Sequence, residues 1–111
     1  MQIEELNSYT ELFDTYGLLL SKKQYELMDK YLNCDLSESE LASFDGSSRQ
    51  SVHDAISKAK KQLVEYESKC KFIESNKNLK KKLIKLQAFL SNEEYEQAKQ
   101  LAENIIENQG E

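Results

Sequence analysis

The chain of 111 residues has few of the residues that interrupt regular structure. It contains no proline, no tryptophan and only three glycines. A β-rich protein needs turn residues at regular intervals between its strands, and this sequence does not supply them. Lysine, glutamate, leucine and serine are frequent instead. The composition therefore predicts an all-α protein, for which we expect five or six helices.

The sequence also lacks the signals of membrane insertion and export. It has no run of 18 apolar residues, so we expect no membrane span. The segment Met1–Glu5 is acidic and has neither the basic nor the apolar region of a signal peptide. Cys34 and Cys70 are far apart and form no CxxC motif. We expect a cytoplasmic protein with two reduced thiols.

Patterns that indicate catalysis or metal binding are missing as well. The sequence has a single histidine, no glycine-rich phosphate loop and no metal-ligand spacing. Asp54 follows His53 directly, but adjacent residues on a helix point in different directions. We therefore expect no enzymatic activity, no metal and no cofactor.

The net charge of −5 conceals an uneven distribution of charged residues. Residues 1–48 contain three basic and ten acidic side chains, residues 49–85 contain eleven and four, and residues 86–111 contain one and six. The acidic total argues against a protein that coats nucleic acid without selectivity. The basic middle third, between two acidic ends, is the candidate anion-binding surface.

Three amphipathic helices are predicted in the first half of the chain. The first helix should end near Gly17, because glycine is unfavourable inside a helix. Ser21 with Gln24, and Ser37 with Glu40, have the spacing of capping boxes, which predicts the starts of the second and third helices. The apolar stripe of the first helix has steps of three and four residues and comprises Leu6, Tyr9, Phe13, Tyr16 and Leu20.

A long fourth helix is predicted to begin at Ser48. The phase of its apolar pattern breaks at residues 75–78, which predicts a core over residues 1–74 and a C-terminal helical arm over residues 75–111. Because such a helix outruns a three-helix core, we expect Leu63, Tyr66, Cys70 and Ile73 to be exposed and to favour a homodimer. The heptad-like seam comprises Val52, Ile56, Ala59, Leu63, Tyr66, Cys70 and Ile73.

The C-terminal arm is predicted to contain one or two helices. A new apolar stripe runs through its first part, and Ser91 with Glu94 has the capping-box spacing for a final helix. We expect these helices to pack on the fourth helix, within one chain or across a two-fold axis. The stripe comprises Leu79, Leu83, Leu86 and Leu90.

The segment from Leu20 to Leu63 has the order of a helix-turn-helix unit, with two short helices, a glycine turn and a longer helix. Ala42, Gly46 and Val52 suit the helix crossing, the turn and the core. The first residues of the second helix of such a unit enter a nucleic-acid groove, where arginine bonds guanine and glutamine bonds adenine. The same order of helices also occurs in bundles that bind no nucleic acid. The candidate nucleic-acid-binding residues are Ser48, Arg49, Gln50, Ser51, His53, Lys58 and Lys61.

On this segment the chain resembles the YlxM proteins, which are small bacterial helix-turn-helix proteins similar to sigma-factor region four. The resemblance covers about residues 6–72 and implies a sigma-region-4-like core. Genes of the family typically neighbour that of the signal recognition particle GTPase, which implies an accessory or regulatory role in that pathway, with particle components as candidate partners. The matching residues are Leu12-Phe13-Asp14, Tyr16, Leu19 to Gln24, Tyr31-Leu32, Asp35-Leu36-Ser37, Glu40-Leu41-Ala42, Ser48-Arg49-Gln50, Val52, Asp54, Ile56 and Glu65-Tyr66-Glu67.

The turn departs from the usual helix-turn-helix pattern. Asp45 and Ser47 stand where such units have apolar residues, and Phe44 is apolar one position early. Burying an unpaired carboxylate is costly, which leaves two alternatives. In one, the turn is locally repacked with Phe44 turned inward. In the other, the unit has relaxed toward a purely structural role. The functional alternatives are a module that binds DNA or the particle RNA, and a protein-interaction or assembly factor.

Overall fold

A computed structural model describes the backbone of residues 3–108 and the side chains from Ser8 to Asn108. Within these limits the chain has no strand, and the all-α prediction is confirmed. Leu6, which belongs to the predicted stripe of the first helix, lies outside the described side chains. The helices are α1 (Ile3–Tyr16), α2 (Lys22–Asn33), α3 (Glu38–Asp45), α4 (Arg49–Cys70), α5 (Phe72–Ser91) and α6 (Tyr95–Asn108), with a 3-10 turn at Gly17–Leu19.

Both predicted capping boxes are present and set where α2 and α3 begin. The Ser21 hydroxyl accepts a hydrogen bond from the Gln24 N–H at 3.2 Å, and the Gln24 side chain accepts one from the Ser21 N–H at 3.0 Å. Ser37 and Glu40 form the same pair of bonds at 3.1 and 3.3 Å. Each box satisfies two of the N–H groups that a helix leaves unpaired at its start.

The predicted end of the first helix near Gly17 is confirmed, and close packing explains the glycine. A Cβ atom at this position would lie 3.0 Å from two ring carbons of Phe13 and 3.3 Å from the ring of Tyr25. These two rings stack α1 on α2, with centroids 4.9 Å apart. Any side chain at position 17 would push the rings apart.

One side of α4 completes the core of the N-terminal unit. Val52, Ile56, Ala59 and Leu63 are each at most 3% exposed, and their spacing places them on one helical face. This face packs against α1, α2 and α3. The buried apolar residues on those elements and the turns between them are Leu12, Phe13, Tyr16, Leu20, Leu27, Met28, Leu41 and Ala42.

The unit itself covers two residues of α4 that were expected to be exposed. Leu63 is completely buried. Tyr66 is half-buried, and its hydroxyl donates to the Leu19 carbonyl oxygen at 3.3 Å. Tyr16 of α1 reaches the same region, donating to the Glu67 carboxylate at 2.5 Å. The expected exposure is therefore wrong for Leu63 and Tyr66, because α1 extends far enough along α4 to cover its middle. Cys70, at the end of α4, is exposed as expected, and Ile73 is half-buried.

The fourth helix ends earlier than its apolar pattern predicts. Lys71 adopts a left-handed φ of 56°, and its N–H donates to the Glu67 carbonyl oxygen at 2.8 Å, which closes α4 at Cys70. Residues 75–78 lie inside α5, so the predicted break at those positions is wrong. The sequence did not indicate this end of α4, because lysine is not a residue type that favours a left-handed backbone. The heptad spacing also continues past Lys71 to Ile73, which made the helix look longer. The chain divides into two compact units, the first ending at Lys71 and the second beginning at Phe72.

The start of the last helix also differs from the prediction. Ser91 is the final residue of α5 and does not cap α6. Glu93 turns the chain with a φ of 59°, and the Glu94 carbonyl oxygen accepts from the Ala98 N–H at 3.0 Å as α6 begins. The predicted capping box of Ser91 with Glu94 is wrong, because α5 continues to Ser91 and a residue other than glycine makes the turn.

The C-terminal unit is a helical hairpin of α5 and α6. Its buried side chains in the described chain are Ala98 and Ile105, so its core is small. None of the helices described combines the length and the apolar character needed to cross a membrane.

The adjacent residues Leu63 and Val64 allow a matched test of this core. Leu63 is fully buried, whereas Val64 is 50% exposed. We expect Leu63→Ala to lower the free energy of unfolding by about 2–5 kcal/mol, because it leaves a cavity. Val64→Ala should lower it by less than about 1 kcal/mol. Urea unfolding followed by circular dichroism measures both, and equal losses would contradict the described core.

Candidate nucleic-acid interface

The helix-turn-helix consists of α3, the turn Gly46–Ser48 and α4. Gly46 has a left-handed φ of 73°, and its N–H donates to the Ala42 carbonyl oxygen at 3.0 Å. The Ser48 hydroxyl accepts from the Ser51 N–H at 3.1 Å and so begins α4. The predicted turn glycine and the predicted cap are both confirmed. Together they fix the angle at which α4 leaves α3.

The side of α4 opposite its buried seam faces solvent. At about 100° per residue, Gln50, Asp54 and Lys61 lie opposite Val52 and Ile56. This outward side, together with the first turn of the helix, is called here the α4 outer face. The seven candidate residues are all exposed, namely Ser48, Arg49, Gln50, Ser51, His53, Lys58 and Lys61.

Three cations on or beside the α4 outer face are open to a ligand. Arg49, Lys58 and Lys61 have no ion pair with any side chain that the structure describes. Arg49 stands in the first turn of the helix, whereas the two lysines follow two and three turns later. The positive charge therefore extends along α4 rather than forming one cluster.

Gln50 is held by a neighbour on its own helix. Its amide nitrogen donates to the Asp54 carboxylate at 2.9 Å, across one helical turn. The bond orients the glutamine amide. Its acceptor, the Asp54 carboxylate, is a negative charge in the middle of the α4 outer face. The sequence pattern did not reveal this pairing as part of the candidate site.

His53 contacts α3 instead of pointing outward. Its Nδ1 atom lies 2.7 and 3.2 Å from the two carboxylate oxygens of Glu38. The two residues are separated by 15 positions, so sequence spacing gave no sign of the contact. His53 therefore connects the two helices of the helix-turn-helix and has one ring nitrogen occupied.

The polar turn is accommodated in solvent. Asp45 accepts a hydrogen bond from the Ser47 hydroxyl at 2.9 Å and lies 3.8 Å from the Lys23 ammonium. Phe44 is 76% exposed and lies under the Lys30 ammonium, which is 4.8 Å from its ring centroid. Of the two alternatives for the turn, the one in which Phe44 turns inward is therefore wrong. An exposed carboxylate with two partners needs no compensating apolar residue.

The basic segment at residues 58–61 divides between two roles. Lys58 and Lys61 are exposed, whereas Lys60 is half-buried. Its ammonium lies 4.9 Å from the Tyr9 ring centroid and 5.1 Å from that of Tyr31. Partial burial raises the pKa of Tyr31, and the charge of Glu38 raises it further, so the ring stays neutral. Lys60 is thus engaged in packing α1 and α2 onto α4.

An open groove separates the start of α2 from the lysine-bearing side of α4. It has a volume of about 490 Å³ and is flanked by Lys23 and Lys58. Its lining includes Gln24 and Gln62, which join the two helices by a hydrogen bond of 2.7 Å. Sequence analysis missed Lys23, because only the fold brings the start of α2 beside Lys58. The groove extends the basic surface beyond the predicted helix.

Other chemical sites are few in the described chain. No three histidine, cysteine, aspartate or glutamate side chains among residues 8–108 come together in a way that could hold a metal ion. Cys34 and Cys70 are exposed free thiols.

The turn makes a direct prediction about position 46. Gly46→Ala would add a Cβ atom that meets nothing within 4 Å, so its cost arises from the left-handed backbone alone. We expect a loss of about 1–2 kcal/mol in unfolding free energy. Gly46→Asn should cost less, because asparagine tolerates this conformation. Thermal unfolding compares the two, and an unchanged alanine variant would contradict the left-handed turn.

Comparison with known proteins gives a consistent family. The model of UPF0122, the YlxM/p13-like helix-turn-helix family, matches residues 3–108. A UPF0122 protein of Fusobacterium nucleatum is 34% identical over 106 residues, which are 96% of this chain and all of that protein. A UPF0122 protein of Malacoplasma penetrans is 44% identical over 82 residues, which are 73% of this chain and 75% of that protein. A UPF0122 protein of Clostridium kluyveri is 42% identical over 77 residues, which are 69% of each chain. The match includes the C-terminal unit, which the sequence resemblance did not cover, and the chain belongs to this YlxM/p13-like helix-turn-helix family.

Proposed function

We propose that the protein is a nucleic-acid-binding helix-turn-helix module that binds through the α4 outer face. The observation that carries the proposal is the orientation of α4. Its apolar side is buried, so Lys58 and Lys61 remain in solvent, while Arg49 is exposed in the first turn of the helix. None of the three has an ion-pair partner in the described chain. Exposed cations on a helix that follows a tight turn have the arrangement by which such units meet phosphates and base edges.

The acidic residues around this face limit how strongly it attracts nucleic acid. The Asp45 carboxylate lies beside the Lys23 ammonium, and the Glu38 carboxylate contacts the His53 imidazole. Asp54 is engaged only by a neutral amide and keeps its full negative potential. Since non-specific affinity rises with the number of neutralised phosphates, such a face binds weakly unless additional contacts form.

The setting we propose is an accessory role in the signal recognition particle pathway, which the family resemblance implies. The nucleic acid is then either DNA or the RNA of the particle. An RNA helix would be bound through phosphates and shape, because its major groove is too narrow for α4. Base-edge contacts by Arg49 and Gln50 instead require the wide major groove of DNA. A loss of affinity when Gln50 is replaced would therefore indicate DNA, whereas unchanged affinity would indicate RNA.

The second candidate function is a protein-interaction or assembly factor. Large apolar side chains are exposed on the same unit, with Leu18 88% and Phe44 76% exposed. Neither belongs to the α4 outer face. A surface of this kind supports protein contacts, while the helix-turn-helix serves as a scaffold.

Fluorescence anisotropy with labelled DNA and with particle RNA tests the proposed function. We expect binding at low salt that weakens steeply as salt rises. Arg49→Ala should weaken it by about ten-fold, because the arginine is proposed to contact a base. Lys61→Ala should weaken it less and lower the salt slope by about 1, because the lysine is proposed to contact a phosphate. Lys99→Ala removes the same charge from α6 and serves as the control.

The outcomes separate the candidates. Binding that weakens equally in all three variants would reflect net charge alone and would argue against a specific face. If neither nucleic acid binds at low salt, the proposal fails and the assembly role becomes the better account.

A substitution at Asp54 should change the affinity for nucleic acid in the opposite direction. Asp54→Asn removes the unneutralised carboxylate from the α4 outer face and keeps a side chain of the same size. We expect affinity for nucleic acid to rise about two- to five-fold at low salt, because repulsion from phosphates falls. Glu74→Gln, which removes an equal charge from α5, is the matched control. Weaker binding by the Asp54 variant would mean that Asp54 holds Gln50 in a required position.

A further inference from the structure

The C-terminal unit leaves much of its apolar surface uncovered. In the described chain, α5 has no fully buried side chain over its 20 residues, and α6 buries Ala98 and Ile105. Units of about 40 residues or fewer usually need a metal, disulfides or oligomerisation for stability. The two cysteines of the chain are free. Covering this surface therefore calls for association with another apolar surface.

The uncovered apolar residues lie on one side of the hairpin. A short turn makes α5 and α6 antiparallel, and helical periodicity then places Leu83 and Leu90 of α5 on the same side as Tyr95 and Ile106 of α6. These side chains are 47%, 50%, 63% and 75% exposed. They define what we call the hairpin face.

The two long edges of the hairpin face carry opposite charges. The α5 helix is basic, and Lys80 lies on its outer edge beside Leu83. The α6 helix is acidic, and Glu103 and Glu107 lie on its outer edge, with Lys99 as its one cation. The charged residues of α5 are Glu74, Lys77, Lys80, Lys81, Lys82 and Lys85, and those of α6 are Glu96, Lys99, Glu103 and Glu107.

We propose that the hairpin face binds the same face of a second copy of this chain, with α5 of each copy against α6 of the other. A two-fold axis parallel to the helices produces this pairing and places the basic edge of one copy on the acidic edge of its partner. An axis perpendicular to the helices would place α5 on α5, with lysine facing lysine. The charge pattern therefore selects both the partner and the orientation.

The size of the face is sufficient for such an interface. Helices of 14 and 20 residues are about 20 and 30 Å long, and two packed helices are roughly 20 Å wide. Two copies would then bury on the order of 1,000 Å² in total, which is near the lower limit for a specific interface. The resulting dimer is a four-helix bundle in which the apolar side chains of the two hairpin faces form the centre.

Sedimentation equilibrium of the full chain tests the hairpin face. We expect a mass near twice 12.9 kDa at micromolar concentration. Leu83→Glu should yield monomers. Leu18→Glu introduces the same charge at a residue of the N-terminal unit that is 88% exposed, and it should leave the dimer intact. Circular dichroism establishes that both variants stay helical.

A charge exchange tests the orientation. Lys80→Glu and Glu103→Lys should each raise the dissociation constant of the dimer at least about three-fold, because like charges then meet across the interface. The double variant should return it to within about two-fold of the original value. Lys81→Glu changes a lysine on the far side of α5 and should have little effect.

A monomeric full chain, or a dimer that Leu18→Glu disrupts while Leu83→Glu does not, would overturn the proposal. A dimer that the double charge variant fails to restore would overturn the pairing of α5 with α6. Nucleic-acid binding is measured separately through Arg49 and Lys61, so the failure of either proposal is recognisable on its own.

Discussion

Val52, Ile56, Ala59 and Leu63 are held against the first three helices, and that burial determines which side of α4 remains in solvent. A helix that buries four residues at this spacing cannot rotate about its axis without exposing them to water. The cost would be several kcal/mol, since each fully buried aliphatic side chain contributes about 1.5–3 kcal/mol. The exposure of Lys58 and Lys61 is thus a consequence of core packing, whereas Arg49 is exposed because it lies in the first turn of α4.

The N-terminal unit was predictable from sequence because its signals are local. Capping boxes span three residues, the turn glycine has a specific backbone requirement, and the apolar stripes have a clear period. Ser21, Ser37, Gly46 and Ser48 all act as their positions predicted. The helix boundaries at Lys71 and Glu93 were not predictable in this way. Both residues adopt a left-handed backbone, and neither residue type signals that conformation.

The candidate site was predictable in its exposed residues but not in their partners. Every residue chosen on α4 is exposed. The helical period accounts for Gln50 and Lys61, whereas Arg49 is exposed because it lies in the first turn. The contacts of His53 with Glu38 and of Lys23 with Asp45 join residues of consecutive helices that are at least 15 positions apart in the chain. Such pairs depend on how the helices cross, which no local pattern records. The same limit applies to Leu63, whose burial depends on the length over which α1 follows α4.

The polar turn has a different meaning once its geometry is known. Asp45 at a core position would have indicated a weakened helix-turn-helix, yet the carboxylate lies in solvent between Ser47 and Lys23. The turn therefore has no buried apolar side chain, and its stability depends on the left-handed Gly46 and on local hydrogen bonds. The acidic residues that remain near α4 reduce attraction to any phosphate backbone equally. In the proposed nucleic-acid complex, a ligand would therefore need contacts beyond charge with residues such as Arg49 and Gln50, and weak non-specific binding would favour discrimination among nucleic acids.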